Sequence, residues 1–518
     1  MQNELASAAA AGEEEQQVFT SPLSQKRLRR LNSELATFRP VEETAFNPTP
    51  QQQHSSLVAA GERLVLVMVG LPARGKTYIA KRICQYLSFF HGRDCKVFNI
   101  GSYRRELVGA KTPASWFDSQ NEHGIKKRME LAEICMRDMK QWMIEGEGRI
   151  GIYDATNTTR ARREWIVKQV SDLVQSRSQV LFIESVVNDE VLVEHNIREV
   201  KLSMPDYEGT SPEDAVKDFR ARIHAYSDVY EMMGSSHVED ELSWVRVEDG
   251  GRFVAMNRIR GCLQGRLCQL LSTLHTMTRP LYLSRHGQSL YNELEKIGGD
   301  SLLSVQGENY AKQLAEYVHE EILGLNADGS FPNGGDNRST PKLRSRLYTS
   351  SLLRTKETTK HIQHPICSDG WTVMRPRAFR NLDEIFAGTF DGMTYEEIKD
   401  HAPEEYEERS RNKLGYRYPR GESYLDVIER LEPVVMELER QRDPVLVVGH
   451  QGILRIIYCY FKGMNREEAP FVPIPLNTVI KLVPGTYTCE EERFLLVRDA
   501  NQGQLNESFE RAANPPSH

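Results

Sequence analysis

Polar positions dominate the first sixty residues. Alanine, glutamate and glutamine runs, the Gln51–Gln53 stretch and scattered prolines leave few large aliphatic side chains there. Such a segment buries too little apolar surface to offset its ordering entropy, so the pattern predicts a disordered, regulatory arm over 1–60. The pattern changes at Arg63. Leu64–Val69 is an unbroken, valine-rich apolar run, as expected of a strand buried on both faces. A glycine-rich turn and a helical pattern from Thr77 to Leu87 follow. Apolar positions 125, 129, 132, 136, 139 and 143 step by three and four and mark one face of a second helix. Arg149–Tyr153 and Val180–Val187 read as strands, with a helix at Glu164–Val174 between them. Alternation of this kind predicts a mainly parallel sheet, and the first unit is expected to span 61–278.

A second α/β unit is predicted over 279–500. It opens with the short strand Leu281–Leu283, followed by a helix pattern at 311, 314, 315, 318 and 322. Leu347–Tyr348 and Val445–Val448 read as further strands, with Leu425–Leu438 helical between them. Residues 325–342, rich in Asn, Asp, Gly, Ser and Pro, predict a surface insertion. Residues 501–518 are polar and read as a flexible tail. No internal repeat is present.

Composition narrows the function classes. Of 518 residues, 39% are hydrophobic and 27% charged, enough for real cores. The net charge of −7 argues against a protein that coats nucleic acid. Apolar runs of about six residues are far too short for a membrane span, and the acidic N-terminus lacks the basic region of a signal peptide. The eight cysteines (84, 95, 135, 262, 268, 367, 459 and 489) include no CxxC pair. They read as reduced thiols of a cytoplasmic protein. Within the arm, Lys26-Arg27-Leu28-Arg29-Arg30-Leu31-Asn32-Ser33 fits two readings. Ser33 is a target for a basophilic protein kinase, or the stretch is simply a solvated basic segment.

Two stretches carry chemistry. Gly70-Leu71-Pro72-Ala73-Arg74-Gly75-Lys76-Thr77 fits GxxxxGK[ST] without mismatch, with a strand before it and a helix after it. Its glycines let backbone N–H groups wrap phosphates, the helix N-terminus adds positive potential, Lys76 reaches the β/γ-phosphates and Thr77 can place its hydroxyl on Mg²⁺. Asp154 ends a predicted strand, where a carboxylate faces the ligand crevice. It can hold Mg²⁺, accept a proton from an attacking hydroxyl, or merely cap the next helix. Arg104, Arg105, Arg128, Arg160, Arg162, Arg163, Lys201 and Arg222 supply cations around this unit, as a phosphorylated acceptor requires.

The second stretch is Arg285-His286-Gly287, again at a strand end. A neutral imidazole there can take a phosphoryl group on a ring nitrogen. Arg354 and His450 each follow another short apolar strand, so Arg285, Arg354 and His450 are expected to box His286. Glu384 is the candidate general acid, with the adjacent Asp383 as its competitor.

The stretches GLPARGKTY, FNIGSYRRE, YDATNTTR, NIREVKLSMPDY, RHGQSLYN, KIGGDS, TYEEI, YRYPRGESY and RLEPVVMELERQ span about Leu64 to Val497. Together they resemble the family of bifunctional enzymes that join a 6-phosphofructo-2-kinase to a fructose-2,6-bisphosphatase. The resemblance implies a P-loop kinase domain followed by a phosphoglycerate-mutase-like histidine-phosphatase domain. It further implies a homodimer that uses ATP and Mg²⁺ and sets the balance of glycolysis and gluconeogenesis. ATP would sit on Gly70–Tyr78 and touch Asn196 and Lys201. Fructose 6-phosphate would be held by Arg104, Arg128, Thr156, Arg162, Lys201, Arg222 and Tyr226. His286 would become phosphohistidine, Glu384 would protonate the departing O2, and Asn292, Gly298, Tyr395, Arg409, Lys413, Tyr424, Gln451 and Arg455 would hold the rest of fructose 2,6-bisphosphate. Two departures stand out. Val187 occupies a position where the family often has cysteine, and Phe386 puts an apolar residue beside the presumed acid. A kinase–phosphatase acting on nucleic acid ends is disfavoured by the acidic balance and by the histidine-type phosphatase motif. A binding protein with a dead site is disfavoured by intact Lys76, Asp154, His286, Arg354 and His450.

Overall fold

The first sheet contains the predicted strands and three that the apolar pattern does not mark. β1 (Leu64–Val69), β2 (Cys95–Asn99), β3 (Ile150–Asp154), β4 (Val180–Val186), β5 (Ser243–Glu248) and β6 (Phe253–Asn257) lie in the order β2-β3-β1-β4-β5-β6. All pairs are parallel except β5–β6. That hairpin turns at Asp249–Gly251, where three consecutive residues have positive φ. β1, at the centre, is buried at every position, which is why its sequence is continuously apolar rather than alternating.

This computed structural model describes residues 63–497, apart from 119, 147–148, 175, 177–178, 202–204, 276–277, 331–343, 368–369 and 486–487. The arm over 1–60 with Ser33, the tail over 501–518 and most of the 325–342 insertion lie outside the described residues. Among those described, no helix is long and apolar enough to cross a membrane.

The second sheet is built from β7 (Leu281–Arg285), β8 (Ser345–Thr349), β9 (Met374–Ala378), β10 (Val445–Gly449), β11 (Thr478–Pro484) and β12 (Cys489–Leu495), in the order β12-β11-β7-β10-β8-β9. β7, β10, β8 and β9 are parallel, and the β11–β12 hairpin adds antiparallel to β7. The expected α/β class holds for both sheets, each with an antiparallel edge. Predicted boundaries shift where caps decide them. The helix expected at Glu164–Val174 runs Arg160–Val170, because the Thr159 side chain accepts the Arg162 N–H and starts it early.

The two sheets belong to one compact unit, His54–His518. The helix Lys76–His91, which follows the glycine-rich turn, packs against helices of the second sheet. Its Phe89 and Phe90 rings lie 5.7 and 5.2 Å from Tyr460 on the helix Gln451–Lys462. Its Tyr86 hydroxyl donates to Glu432, and its Arg82 pairs with Glu439, both on the helix Tyr424–Arg440.

Candidate active sites

The phosphate loop leaves the tip of β1 between β3 and β4. Gly70 has φ +133°, and a Cβ there would lie 2.4 Å from the Ser185 carbonyl oxygen on β4, so only glycine fits. Gly75, with φ 76°, caps the helix Lys76–His91 without any side-chain bond, leaving the first-turn N–H groups to face an incoming anion. The loop is braced from three sides. Ser185 Oγ donates to the Arg74 carbonyl, Asn196 Nδ2 to the Ala73 carbonyl at 3.1 Å, and Gly70 N to the Thr156 carbonyl at 2.9 Å. Lys76 Nζ donates to the Leu71 carbonyl at 2.6 Å, curled over the loop.

Asp154 is 1% exposed at the tip of β3. It accepts from Thr77 Oγ1 at 2.8 Å and from Asn99 Nδ2. The following helix takes its cap from Thr159, so capping does not account for Asp154. One hydroxyl and one carboxylate, both hard oxygens, are the donor set that Mg²⁺ takes when substrate phosphates and water complete its shell. Thr77 and Asp154 therefore fit that ion.

A cavity of about 900 Å³ opens beside the loop. Its lining includes Pro72–Tyr78, Asp154 and Asn196 together with Arg104, Arg128, Thr156, Arg162, Arg222 and Tyr226. The arginines are held in place rather than left waving. Arg104 donates to Thr112 Oγ1 at 2.7 Å and pairs with Asp206. Arg222 donates to Asp218 at 2.8 Å and to the Thr112 carbonyl at 2.6 Å. Arg162 lies 4.2 Å from the Trp165 ring centroid and donates to Tyr153 at 2.9 Å. Burial pulls the Arg104, Arg128 and Arg162 guanidinium groups below their ordinary value. Their acidic neighbours do not cancel that cost, and a bound phosphate would. Lys201 ends the π-helical turn Asn196–Lys201, and its side chain lies outside the described residues.

In the second sheet the order β7-β10-β8 brings three strand tips side by side. His286 follows β7, His450 follows β10 and Arg354 follows β8, so the expected box forms. The His286 and His450 ring centroids are 5.1 Å apart. Arg354 Nε donates to His450 Nδ1 at 3.1 Å, and the other nitrogen of His450 lies 2.8 Å from Ser350 Oγ. His286 Nδ1 lies 2.7 Å from the Gly287 carbonyl oxygen. That nitrogen must therefore carry the proton, which leaves the Nε2 lone pair available. Burial, reinforced by Arg354 and Arg285, holds His286 well below the ordinary histidine value. Burial and Arg354 do the same for His450. Both imidazoles are neutral near pH 7, and a neutral imidazole is the nucleophilic form.

A cavity of about 100 Å³ in front of His286 is lined by Arg285, Asn292, Gly298, Arg354, Glu384, Tyr395, Arg409, Lys413, Tyr424, Gln451 and Arg455. His450 stands beside it, on Arg354. Geometry places the two candidate acids differently. Asp383 accepts from both N and Oγ of Ser351 at 2.6 Å and is committed to that turn. Glu384 lines the cavity, and its Oε2 accepts the Gly452 N–H at 3.4 Å. Phe386 is half exposed, and its N–H donates to Glu422 at 3.0 Å. Val187 is buried against Ala73 and Ile197 as part of the packing under the loop. Sequence reasoning missed Asn99, Asp206, Thr112 and also Tyr418, which lines the second cavity and accepts from Arg409 Nε at 2.8 Å. Asp206 buries its carboxylate between Arg104 and Arg222, across about a hundred residues of chain.

Comparison with known proteins agrees with this geometry. The family profile described as 6-phosphofructo-2-kinase matches residues 51–277. That of the histidine phosphatase superfamily (branch 1) matches residues 339–497, so His286 is joined to the latter by the sheet rather than by the matched range. A 6-phosphofructo-2-kinase/fructose-2,6-bisphosphatase of Arabidopsis thaliana is 42% identical over 84% of this chain, which spans 54% of that longer protein. The Rattus norvegicus 6-phosphofructo-2-kinase/fructose-2,6-bisphosphatase 3 is 40% identical over 83% of this chain and 72% of its own length. The Caenorhabditis elegans 6-phosphofructo-2-kinase/fructose-2,6-bisphosphatase is 38% identical over 86% and 92%. With both catalytic motifs in place and likeness running through both sheets, the chain belongs to the 6-phosphofructo-2-kinase/fructose-2,6-bisphosphatase family.

Proposed function

We propose that this chain runs two opposed reactions: transfer of the ATP γ-phosphoryl group to O2 of fructose 6-phosphate, and hydrolysis of the fructose 2,6-bisphosphate so formed. One observation carries the reading. A phosphate loop opening onto a cationic cavity and a neutral, arginine-boxed histidine occur in one chain, at the strand tips of separate sheets. The kinase domain is taken as 61–278 and the phosphatase domain as 279–500.

In the kinase site, Gly70–Tyr78 and Asn196 hold the nucleotide, with Lys201 as a further contact. Arg104, Arg128, Thr156, Arg162, Lys201, Arg222 and Tyr226 hold the sugar phosphate. Thr77 and Asp154 are the residues that would hold Mg²⁺, which when bound neutralises charge on the phosphoryl oxygens. The sugar O2 hydroxyl attacks the γ-phosphorus and passes its proton to the Asp154 carboxylate, the bond to ADP breaks, and Lys76 stabilises the charge that shifts onto the phosphates. In the phosphatase site, His286 Nε2 attacks the 2-phosphorus. The P–O2 bond breaks, and Glu384 gives its proton to O2. Glu384 then takes a proton from water as that water attacks phosphorus, the P–N bond breaks and phosphate leaves. Arg285, Arg354 and His450 hold the transferring group. Asn292, Gly298, Tyr395, Arg409, Lys413, Tyr424, Gln451 and Arg455 hold the remainder.

The same reading makes the protein a cytoplasmic homodimer with no nucleic-acid or membrane partner. Ser33, on its basic arm, is then a target for a basophilic protein kinase, whose phosphate would bring about two negative charges beside Arg29 and Arg30. The test is to measure both turnovers on one preparation. Detection of both supports the reading, and absence of either from folded protein overturns it.

A further inference from the structure

Cys84 and Cys95 take no part in either reaction. Cys84 lies in the middle of the helix Lys76–His91, and Cys95 opens β2. The chain reverses between them after Gly92, which ends the helix with φ 57°. This reversal sets Cys84 Sγ 2.9 Å from the Cys95 carbonyl oxygen, so the thiol of one residue lies against the backbone of the other. Both residues are partly exposed, and a small oxidant need reach only Cys84. The thiols are also unequal. The neighbouring Cys95 draws the Cys84 thiol below its ordinary value, whereas burial pushes the Cys95 thiol well above it. Of the two, Cys84 is the more readily ionised and so the first to meet an oxidant, with Cys95 beside it to resolve the product.

We propose that Cys84 and Cys95 are a modification site at which a peroxide forms a reversible disulfide. The Cys84 thiolate attacks one peroxide oxygen, the O–O bond breaks, and hydroxide leaves with a proton as water. This gives a sulfenic acid on Cys84. The Cys95 sulfur then attacks the Cys84 sulfur, the S–O bond breaks and the S–S bond forms. The departing hydroxide takes the Cys95 proton as a second water. The two thiols lose two electrons and two hydrogens, and the peroxide is reduced to two waters. A dithiol reductant reverses the bond. The disulfide would strap together the helix that begins with Lys76 and Thr77 and the strand that ends with Asn99, the donor to Asp154.

The competing role for this pair is packing, since both side chains lie against the hydrophobic core. Exposure alone would send an oxidant first to Cys262, the exposed thiol. The experiment treats the full chain with hydrogen peroxide, alkylates remaining thiols before unfolding, and maps a non-reduced tryptic digest by mass spectrometry. Cleavage after Arg93 puts the two cysteines on different peptides. The expected result is one cross-linked pair joining Cys84 to Cys95, two hydrogens lighter than the reduced peptides and released by dithiothreitol. Cys84→Ser and Cys95→Ser should each abolish it, and Cys95→Ser should leave a dimedone-reactive sulfenic acid on Cys84. Full alkylation of Cys84 and Cys95 after peroxide, reaction confined to Cys262, or a cross-link between other cysteines would overturn the proposal.

Discussion

Adding a single methyl group at Gly70 should disable the kinase reaction and spare the phosphatase. In Gly70→Ala the new Cβ meets the Ser185 carbonyl oxygen at 2.4 Å, at a backbone φ of +133° that alanine rarely adopts. Neither backbone can move aside freely. Val69 pairs with Glu184 in the β1–β4 ladder, and Ser185 Oγ holds the Arg74 carbonyl on the far side of the loop. Backbone strain costs about 1–3 kcal/mol and overpacking about 1–3 kcal/mol. Leaving the loop in place would thus cost roughly 2–6 kcal/mol. The loop relieves this by shifting outward, taking Lys76 and Thr77 with it. A displacement of about 1 Å at a positioning group lowers turnover about 10²-fold. The assay is ATP-dependent phosphorylation of fructose 6-phosphate, with fructose 2,6-bisphosphate hydrolysis on the same sample as internal reference. Kinase turnover equal to wild type, with unchanged thermal stability, would refute the claim that this glycine shapes the phosphate cradle.

Asp154→Asn keeps the shape of the Thr77 contact but removes the charge. Kinase kcat should fall about 10²–10³-fold with ATP affinity, followed by fluorescence titration without Mg²⁺, little changed. Phosphoenzyme formation at His286, measured by rapid quench, should stay level as pH falls from about 7.5 to 6.0, because the ring stays neutral. A histidine of ordinary value would lose about three quarters of its nucleophile over that range. Stability should move differently. His91 is held at about 4 by burial, so below pH 6.5 the unfolded chain binds the extra proton. The stabilisation is complete above about 6.5 and is lost as pH falls, by about 2 kcal/mol at pH 5, which denaturant titrations at the two pH values would show. Tyr86→Phe removes the hydroxyl that donates to buried Glu432. It should cost about 1–3 kcal/mol and lower the melting temperature without changing either kcat.

The parts of the fold legible in the sequence are those where burial is uniform. β1 and β10 are buried at every position, so their apolar runs stand out, and the glycines that punctuate them place the phosphate loop and His450. β2 is mixed, with only Phe98 of its five residues fully buried, and its sequence CKVFN looks like loop. Asn99 and its bond to Asp154 were hidden with it. β5 alternates buried and half-buried positions and pairs with an exposed edge strand, which weakens its signal in the same way. The choice between Asp383 and Glu384 depends on Ser351, thirty-two residues away, and no local pattern encodes that contact. Which of the eight candidate cations would hold a sugar phosphate came only from family resemblance, because an arginine on a helix reads alike whether it is solvated or, as with Arg104, anchored by Thr112 and Asp206.

The central claim is that two chemically independent phosphoryl-transfer sites share this chain. It is tested most directly by assaying both turnovers, and ³²P capture from labelled fructose 2,6-bisphosphate, on folded Lys76→Ala and His286→Ala proteins. Lys76→Ala should lose kinase turnover and keep the phosphatase together with an acid-labile, base-stable protein label. His286→Ala should keep kinase turnover and lose both hydrolysis and label. Loss of both activities in either variant, or a label that persists in His286→Ala, would contradict the account.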